Sequence, residues 1–152
     1  MSNSCLFCRI AARELPSAEL LDDERVFAFL DINPLRRGHA LLVPKHHAAK
    51  LEDTSPEDAA ALMRATQRLT RALAQATGAP DATVAINNGP AAGQEVAHLH
   101  IHIVPRQAGD QAGPIHDLFA QARPRPDPEE LNDLAVEVQE RLAATVSRGG
   151  RA

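Results

Sequence analysis

Residues 98–104, HLHIHIV, place histidine and aliphatic side chains in strict alternation before the closing valine. Successive side chains of a β-strand point to opposite faces, so this pattern predicts a strand over 98–104 whose aliphatic residues face a core. The imidazoles of His98, His100 and His102 would share the other face, with neighbours about 7 Å apart. Three titratable rings in one row favour a functional site over a merely polar outer face.

Apolar runs bounded by turn residues, caps or prolines place the other elements. They predict a hairpin over 17–30, a strand over 39–44 that is buried on both faces, a long helix from Ser55 to near Gly78, and a strand over 82–87. The order of these elements is typical of an α+β meander.

The 152 residues suit one main domain with a sizeable core. We predict four segments: a domain over 1–106, a connector rich in proline and glycine over 107–127 with one helical turn at 115–120, a C-terminal helix over 128–146 begun by an Asp127 cap, and a frayed tail over 147–152.

Composition excludes several classes of function. The net charge of −4 gives no positive field for nucleic acid or an anionic membrane, and four Phe with no Trp or Tyr cannot stack many bases. Apolar runs are too short for a membrane span, and the N-terminus has no signal-peptide pattern. We therefore expect a cytoplasmic protein without nucleic-acid or membrane partners.

The histidine row suits two chemistries. Histidines spaced two apart can converge on a metal, with Glu95 as the nearby carboxylate of a metal-dependent hydrolase or oxygenase. A histidine can also attack phosphorus, and Gly89, Gly93 and the Gln94 amide just upstream provide donors for phosphate oxygens. The phosphate interpretation fits the sequence better.

Three ordered blocks extend the pattern. GHALLVPKHH and NNGPAAGQEV precede HLHIHIV, and the chain opens with CLFCRIAARELPSAELLDDERVFAFLDINPLRRGHA. On these blocks the chain resembles the histidine triad superfamily over about residues 5–106, nearest to its Hint and bacterial Hit-like branches. The resemblance implies an antiparallel meander sheet of the histidine triad type with one long helix packed on it, to which the C-terminal helix is added.

The resemblance also implies an activity: cleavage of nucleoside phosphoramidates or dinucleoside polyphosphates to a purine nucleoside monophosphate such as AMP. His100 would be the nucleophile and form a nucleotidyl-histidine, with His98, His102 and His39 completing the catalytic set. The implied nucleotide-binding residues are Asn87, Gly93, Gln94, Glu95 and Val96 around the phosphates, Asp31 and Ile32 at the ribose and base, and a wall of Leu6, Phe7, Ile10, Phe29 and Leu41.

Glu95 departs from the pattern of the family. Many Hint proteins carry Ser and Fhit-like proteins Thr at this position, so a carboxylate replaces a hydroxyl donor beside the leaving group. A carboxylate repels a polyphosphate and tolerates a cationic amine, which favours phosphoramidate substrates.

Cys5 and Cys8 form a C-x-x-C pair that is either small core packing or half of a metal site. The galactose-1-phosphate uridylyltransferases and several bacterial Hit proteins, which this chain resembles, bind zinc through such a pair, a later histidine and the first triad histidine. This implies a structural zinc on Cys5, Cys8, His47 and His98, with no organic cofactor. His46 and His116 are expected at the surface.

The resemblance further implies a homodimer formed through the long helix and the strand over 82–87. Two alternatives to the hydrolase stay open: a nucleotide-binding or scaffold protein with vestigial turnover, and a metal-dependent hydrolase that uses the histidine row as ligands.

Overall fold

The computed structural model describes residues 5–114 and 127–149, and the chain divides into two units, Met1–Asp110 and Gln111–Ala152. The architecture is α+β, as predicted. The elements of the first unit are α1 (Leu6–Ala11), β1 (Glu19–Asp22), β2 (Val26–Leu30), β3 (Ala40–Pro44), α2 (Pro56–Thr77), β4 (Asp81–Ala85) and β5 (Ile101–Arg106).

The five strands form one sheet in the order β1-β2-β3-β5-β4, and every neighbouring pair is antiparallel. The predicted hairpin and the predicted strand over 39–44 are therefore confirmed. All five residues of β3 are buried, because this strand is central and has elements on both faces.

Helix α2 covers one face of the sheet. Its first turn is capped by the Ser55 Oγ, which accepts the Asp58 amide at 3.1 Å, and Gly78 closes the helix with a left-handed φ of 75°. Leu62, Leu69 and other apolar residues of α2 pack on alternate residues of β2, β3 and β5. The helix therefore has the bounds that its sequence predicted.

The short helix α1 lies on the other face. Phe7 and Ile10 pack there against Phe29 and Leu41. We predicted no helix over these residues, because six residues are too few to show a periodic pattern.

Strand β5 begins three residues later than predicted, at Ile101. If the register continued, Val43 would oppose His100 and Pro44 would oppose Leu99, and Pro44 has no amide proton to donate. The Leu99 amide instead donates to the Ala48 carbonyl at 2.7 Å, and the His98 amide closes a turn on Val96. His98 and His100 thus precede the sheet ladder, and only His102 lies within it.

Gly38 allows a close approach between the start of β3 and the end of α2. Its φ is +85°, and a Cβ there would lie 2.7 Å from the Thr77 Cγ2. A larger residue would strain the turn that leads directly into His39.

The second unit contains α3, Pro128–Gly149. The Asp127 carboxylate accepts the Glu129 and Glu130 amides, and the Glu130 carboxylate accepts the Asp127 amide, which confirms the predicted cap. The described helix extends to Gly149, beyond the predicted end at residue 146. The predicted turn at 115–120, most of the connector, His116 and the residues after 149 lie outside the described residues.

No helix within the described ranges is both long and apolar enough to cross a membrane.

Candidate active site

A cavity of about 600 Å³ opens between α1, the sheet and the loops at the ends of β2 and β4. His39, His100 and His102 line it together with all the predicted nucleotide-binding residues except Gln94. Six residues that sequence reasoning did not single out also line it: Leu15, Pro16, Ser17, Leu30, Asn33 and Leu35. They carry no chemical signature, and only their proximity in the fold identifies them.

His100 is buried, and its hydrogen bonding assigns one tautomer. The Nδ1 lies 2.7 Å from the His98 carbonyl oxygen, which can only accept, so Nδ1 carries the proton. The Nε2 is then unprotonated and holds a lone pair. A neutral imidazole fixed in this way is suited to nucleophilic attack.

A second chain of hydrogen bonds orients His102. The Leu35 amide donates to the His39 Nδ1 at 3.2 Å, which leaves the proton of His39 on Nε2. That proton is donated to the His102 Nδ1 at 3.0 Å, so the His102 proton lies on Nε2. Among the described residues, the His102 Nε2 is the one buried side-chain polar atom without a partner. The His102 Nε2–H is therefore a buried hydrogen-bond donor whose acceptor is not among the described residues.

Burial lowers the pKa of His102 and of His39, which favours their neutral forms. Desolvation, with repulsion from His100 and His39, lowers the pKa of His102 to about 4. Desolvation also lowers the pKa of His39, although the Asp31 carboxylate opposes the shift. A neutral imidazole accepts a hydrogen bond at one ring nitrogen and donates at the other, as the tautomers assigned above require.

The loop over 87–96 places Gln94 apart from the other predicted nucleotide-binding residues. The Gln94 side chain is fully used within the protein: its Oε1 accepts the Gly89 amide at 2.8 Å, and its Nε2 donates to the Ala49 and Val96 carbonyls. It therefore braces the loop and does not line the cavity. Gly93 has a φ of +90°, which shapes the loop wall that faces the cavity.

Two predicted residues lie at the rim. Ile32 is 88% exposed, and Glu95 is exposed while still lining the cavity. Asp31 is less exposed, and its Oδ1 accepts the Asn33 amide at 2.8 Å. Polar groups thus ring an opening whose inner wall is mostly apolar.

His98 lies outside the cavity, apart from the other predicted catalytic histidines. The rings of His100 and His102 are neighbours, with centroids 4.9 Å apart, but the Phe7 ring contacts those of both His98 and His100. Among the described residues, no group of potential metal ligands contains all three triad histidines. This arrangement disfavours the alternative in which all three bind one metal.

His98 instead joins Cys5, Cys8 and His47 in a cluster whose four donor atoms lie within 4.8 Å of one another. The His98 Nδ1 is 3.3 Å from the Cys5 Sγ, 3.4 Å from the Cys8 Sγ and 3.3 Å from the His47 Nδ1. A tetrahedral zinc with ordinary bond lengths requires donor separations of about 3.4 to 3.8 Å. The four residues fit that ion.

The surroundings of the cluster also suit a metal. The His98 Nε2 donates to the Pro44 carbonyl at 2.9 Å, which leaves Nδ1 as the ligand atom. Desolvation lowers the pKa of His98 to about 4, so the ring is neutral. Burial and the neighbouring Cys5 raise the pKa of Cys8 to about 11, so without a cation this thiol stays protonated.

Asp31, His39 and His102 form a second group of potential ligands. His39 lies between the other two: its Nδ1 is 3.5 Å from the Asp31 carboxylate and its Nε2 faces His102. In the tautomer assigned above the His39 Nδ1 accepts the Leu35 amide, so within this group the hydrogen bond runs between His39 and His102. Elsewhere, His46 is exposed as expected and contacts Asp58 at 3.3 Å.

Comparison with known proteins identifies the family. A family model described as HIT domain matches residues 12–109. "Adenylylsulfatase HINT3" of Arabidopsis thaliana is 41% identical over 110 residues, 72% of this chain and 56% of that protein. "Adenosine 5'-monophosphoramidase HNT1" of Saccharomyces cerevisiae is 41% identical over 104 residues, 68% of this chain and 63% of that protein. The chain thus spans less than two thirds of the length of either relative.

The crystal structure of a Zn-bound histidine triad family protein from Mycobacterium smegmatis has the same fold. It is 37% identical, and the alignment covers 95% of this chain and 99% of that one with a TM-score of 0.70. The family model, the relatives and the structural match agree with the histidine motif and the cavity built around it. The chain belongs to the HIT family of histidine triad proteins.

Proposed function

We propose that this protein is a nucleotide hydrolase that releases a purine nucleoside monophosphate, such as AMP, through a covalent intermediate on His100. The observation that carries the proposal is the buried, unpartnered Nε2–H of His102 beside His100 in the cavity. A phosphate oxygen is the acceptor that would complete this hydrogen bond. The names of the two relatives support hydrolysis of an adenylyl compound.

In the first proposed step, the lone pair of the His100 Nε2 forms a bond to the α-phosphorus, and the bond from phosphorus to the leaving amine or phosphate breaks. The proton stays on the His100 Nδ1 and is donated in a hydrogen bond to the His98 carbonyl oxygen, which stabilises the positive charge that develops on the ring. The His102 Nε2–H then donates to a phosphate oxygen on which negative charge accumulates.

In the second proposed step, water attacks the phosphorus, the bond from phosphorus to His100 breaks, and the proton that water releases to solvent balances the one that the departing amine or phosphate takes up. The products are the nucleoside monophosphate and the original neutral imidazole, so the cycle consumes one water. Asn87 and the loop backbone at Gly93 and Glu95 would hold the phosphate oxygens, and Asp31 at the rim would hold the ribose hydroxyls. The apolar wall would take the purine base.

The test is hydrolysis of adenosine phosphoramidate by the purified protein, with and without EDTA, and by His100→Ala. We expect turnover that EDTA does not abolish and that the variant loses. Loss of turnover on EDTA treatment, restored by metal, would favour the metal-dependent hydrolase. Tight AMP binding without turnover of phosphoramidates or dinucleoside polyphosphates would favour the nucleotide-binding or scaffold alternative.

We also propose a structural zinc on Cys5, Cys8, His47 and His98. Two thiolates and two imidazoles complete a tetrahedron, so no position is open for substrate. The donor distances and the Zn-bound relative support this assignment.

We further propose that the nucleotide-binding domain spans 1–106 and that two copies pair through β4 and α2. β4 is the last strand of the sheet, and the four residues 81–84 are exposed. Val84 on β4 is 45% exposed and Met63 on α2 is 61% exposed, which leaves apolar surface for a partner.

A further inference from the structure

Phe7 packs between the metal cluster and the cavity, which are also joined by the hydrogen bond from the His100 Nδ1 to the His98 carbonyl. Its ring makes edge-to-face contacts with the metal-cluster ring of His98, centroids 6.0 Å apart, and with the cavity ring of His100, centroids 5.1 Å apart. Phe7 is only 5% exposed and also packs against Phe29. One rigid side chain is thus wedged between a metal ligand and the proposed nucleophile.

The backbone of α1 strengthens this connection. The Cys5 carbonyl accepts the Arg9 amide and the Cys8 carbonyl accepts the Ala12 amide, so both cysteines belong to the hydrogen-bonded frame of the helix. Cys5 is the N-cap residue, and its side chain makes no capping hydrogen bond. A helix of six residues is unstable by itself, so its position depends on what holds its ends.

The face of α1 that lines the cavity shows which part of the site depends on the position of this helix. Leu6, Phe7 and Ile10 form the part of the cavity wall that this helix contributes. An ion that ties Cys5 and Cys8 to His47 and His98 therefore fixes the wall and presses Phe7 against His100. The ion would do this without contacting a bound nucleotide.

We propose that Phe7 is a positioning residue that couples metal binding at the Cys5–Cys8–His47–His98 cluster to nucleotide binding in the cavity. This inference rests on the proposed function. Coupling between two binding sites is reciprocal: the factor by which zinc tightens the nucleotide must equal the factor by which the nucleotide tightens zinc. The sign is positive, because either ligand orders the same wall.

The experiment measures the zinc affinity of the full chain by competition with a chromophoric chelator, alone and with saturating AMP or adenosine. Adenosine is included because it lacks the phosphate that chelates zinc in solution. We expect both to tighten zinc binding at least about fivefold in the wild type. Calorimetry should show that AMP binds the zinc-loaded protein more tightly than the zinc-free protein, by the same factor.

Phe7→Leu should reduce this factor to near one, because leucine keeps the wall apolar but loses the ring contacts. Phe27→Leu is the matched control: Phe27 is a fully buried phenylalanine of the same core that does not line the cavity. It should keep the wild-type factor. If Phe7→Leu fails to fold, the wild-type measurement still decides whether metal binding and nucleotide binding are coupled.

Three results overturn the inference while leaving the proposed function intact: zinc does not bind, AMP binds with no effect on zinc affinity, or Phe7→Leu and Phe27→Leu change the factor equally. A zinc-loaded wild type that binds neither AMP nor adenosine would overturn both the inference and the proposed function.

Discussion

At the scale of single residues, the site depends on which nitrogen of each histidine carries a proton. The backbone carbonyl of His98 accepts a hydrogen bond from the Nδ1–H of His100, and the His39 Nε2–H donates to the His102 Nδ1, which leaves the His102 proton on Nε2. The His100 ring is thereby suited to act as a nucleophile, and the His102 ring as a hydrogen-bond donor. Substitutions of these residues should therefore have different effects.

His100→Asn should reduce turnover of adenosine phosphoramidate to below about a few per cent of the wild-type value, because the nucleophile is lost. AMP binding should persist, since the proposed phosphate and ribose contacts come from other residues. Steady-state kinetics and calorimetry on the same preparation measure the two effects. Higher residual activity with unchanged KM would contradict the covalent mechanism.

Glu95→Ser should raise kcat/KM for dinucleoside polyphosphates relative to amine-leaving substrates by about fivefold, because removing one charge relieves ~1 kcal/mol of repulsion in a water-like medium. Glu95→Gln is the control that removes the charge without supplying a hydroxyl. If charge is the cause, both variants shift the ratio. An unchanged ratio would show that the carboxylate points away from the leaving group.

His102 should make the protein sensitive to acid. Its pKa falls from the ordinary 6.5 to about 4 on folding, so between these values the unfolded chain binds a proton that the folded chain does not. The unfolding free energy should therefore decline as the pH falls from 6.5 towards 4, by at most about 1.4 kcal/mol per pH unit for this group. His98 acts in the same direction in metal-free protein.

The check is urea unfolding of metal-free wild type and His102→Asn at several pH values across this window. The slope of unfolding free energy against pH should be shallower in the variant, whatever its absolute stability. Parallel slopes would mean that folding does not lower the pKa of His102.

At the scale of secondary-structure elements, α1 is the element that depends most on its surroundings. Its sequence has no long periodic stripe, and its ends are joined to the rest of the fold through Cys5, Cys8 and the packing of Phe7 and Ile10. By contrast, α2 has a side-chain cap, a terminal glycine and a full apolar face within its own sequence.

Purified protein should contain one zinc per chain, and its removal should lower the melting temperature by roughly 10 °C, because metal binding stabilises only the folded state. Initial activity at saturating substrate should fall less, since the ion does not contact substrate. The double variant Cys5→Ser/Cys8→Ser should already melt at the lower temperature, and its melting temperature should not change when the chelator is added. Protein made with zinc available but free of zinc on elemental analysis would leave the cysteines as core packing.

At the scale of the whole molecule, the main question is how the exposed edge of the sheet is covered. Light scattering should give twice the mass of the chain, because β4 ends the sheet and carries exposed Val84. Val84→Lys should shift the protein towards monomer, since a charged edge residue opposes strand pairing. The control is Thr83→Ser, which adds no charge to the same strand. A wild type that elutes and scatters as a monomer would contradict the pairing.

Local signals in the sequence were sufficient for most of the fold. The alternation in HLHIHIV, the Ser55 cap, the glycine after α2 and the Asp127 capping box each act within a few residues, so they could be recognised without the structure. The histidine motif with its two companion blocks likewise identified the family. These features were sufficient to predict the sheet, both long helices and the family.

Only the tertiary structure divided the triad between two sites. Cys8 and His98 are 90 residues apart in the chain, and their contact depends on where α1 packs. The same holds for the Gln94 side chain, which bonds to Ala49, and for the start of β5, which depends on Pro44 in another strand. Such contacts join residues distant in sequence, and their geometry arises from the packing of the whole domain rather than from any local pattern.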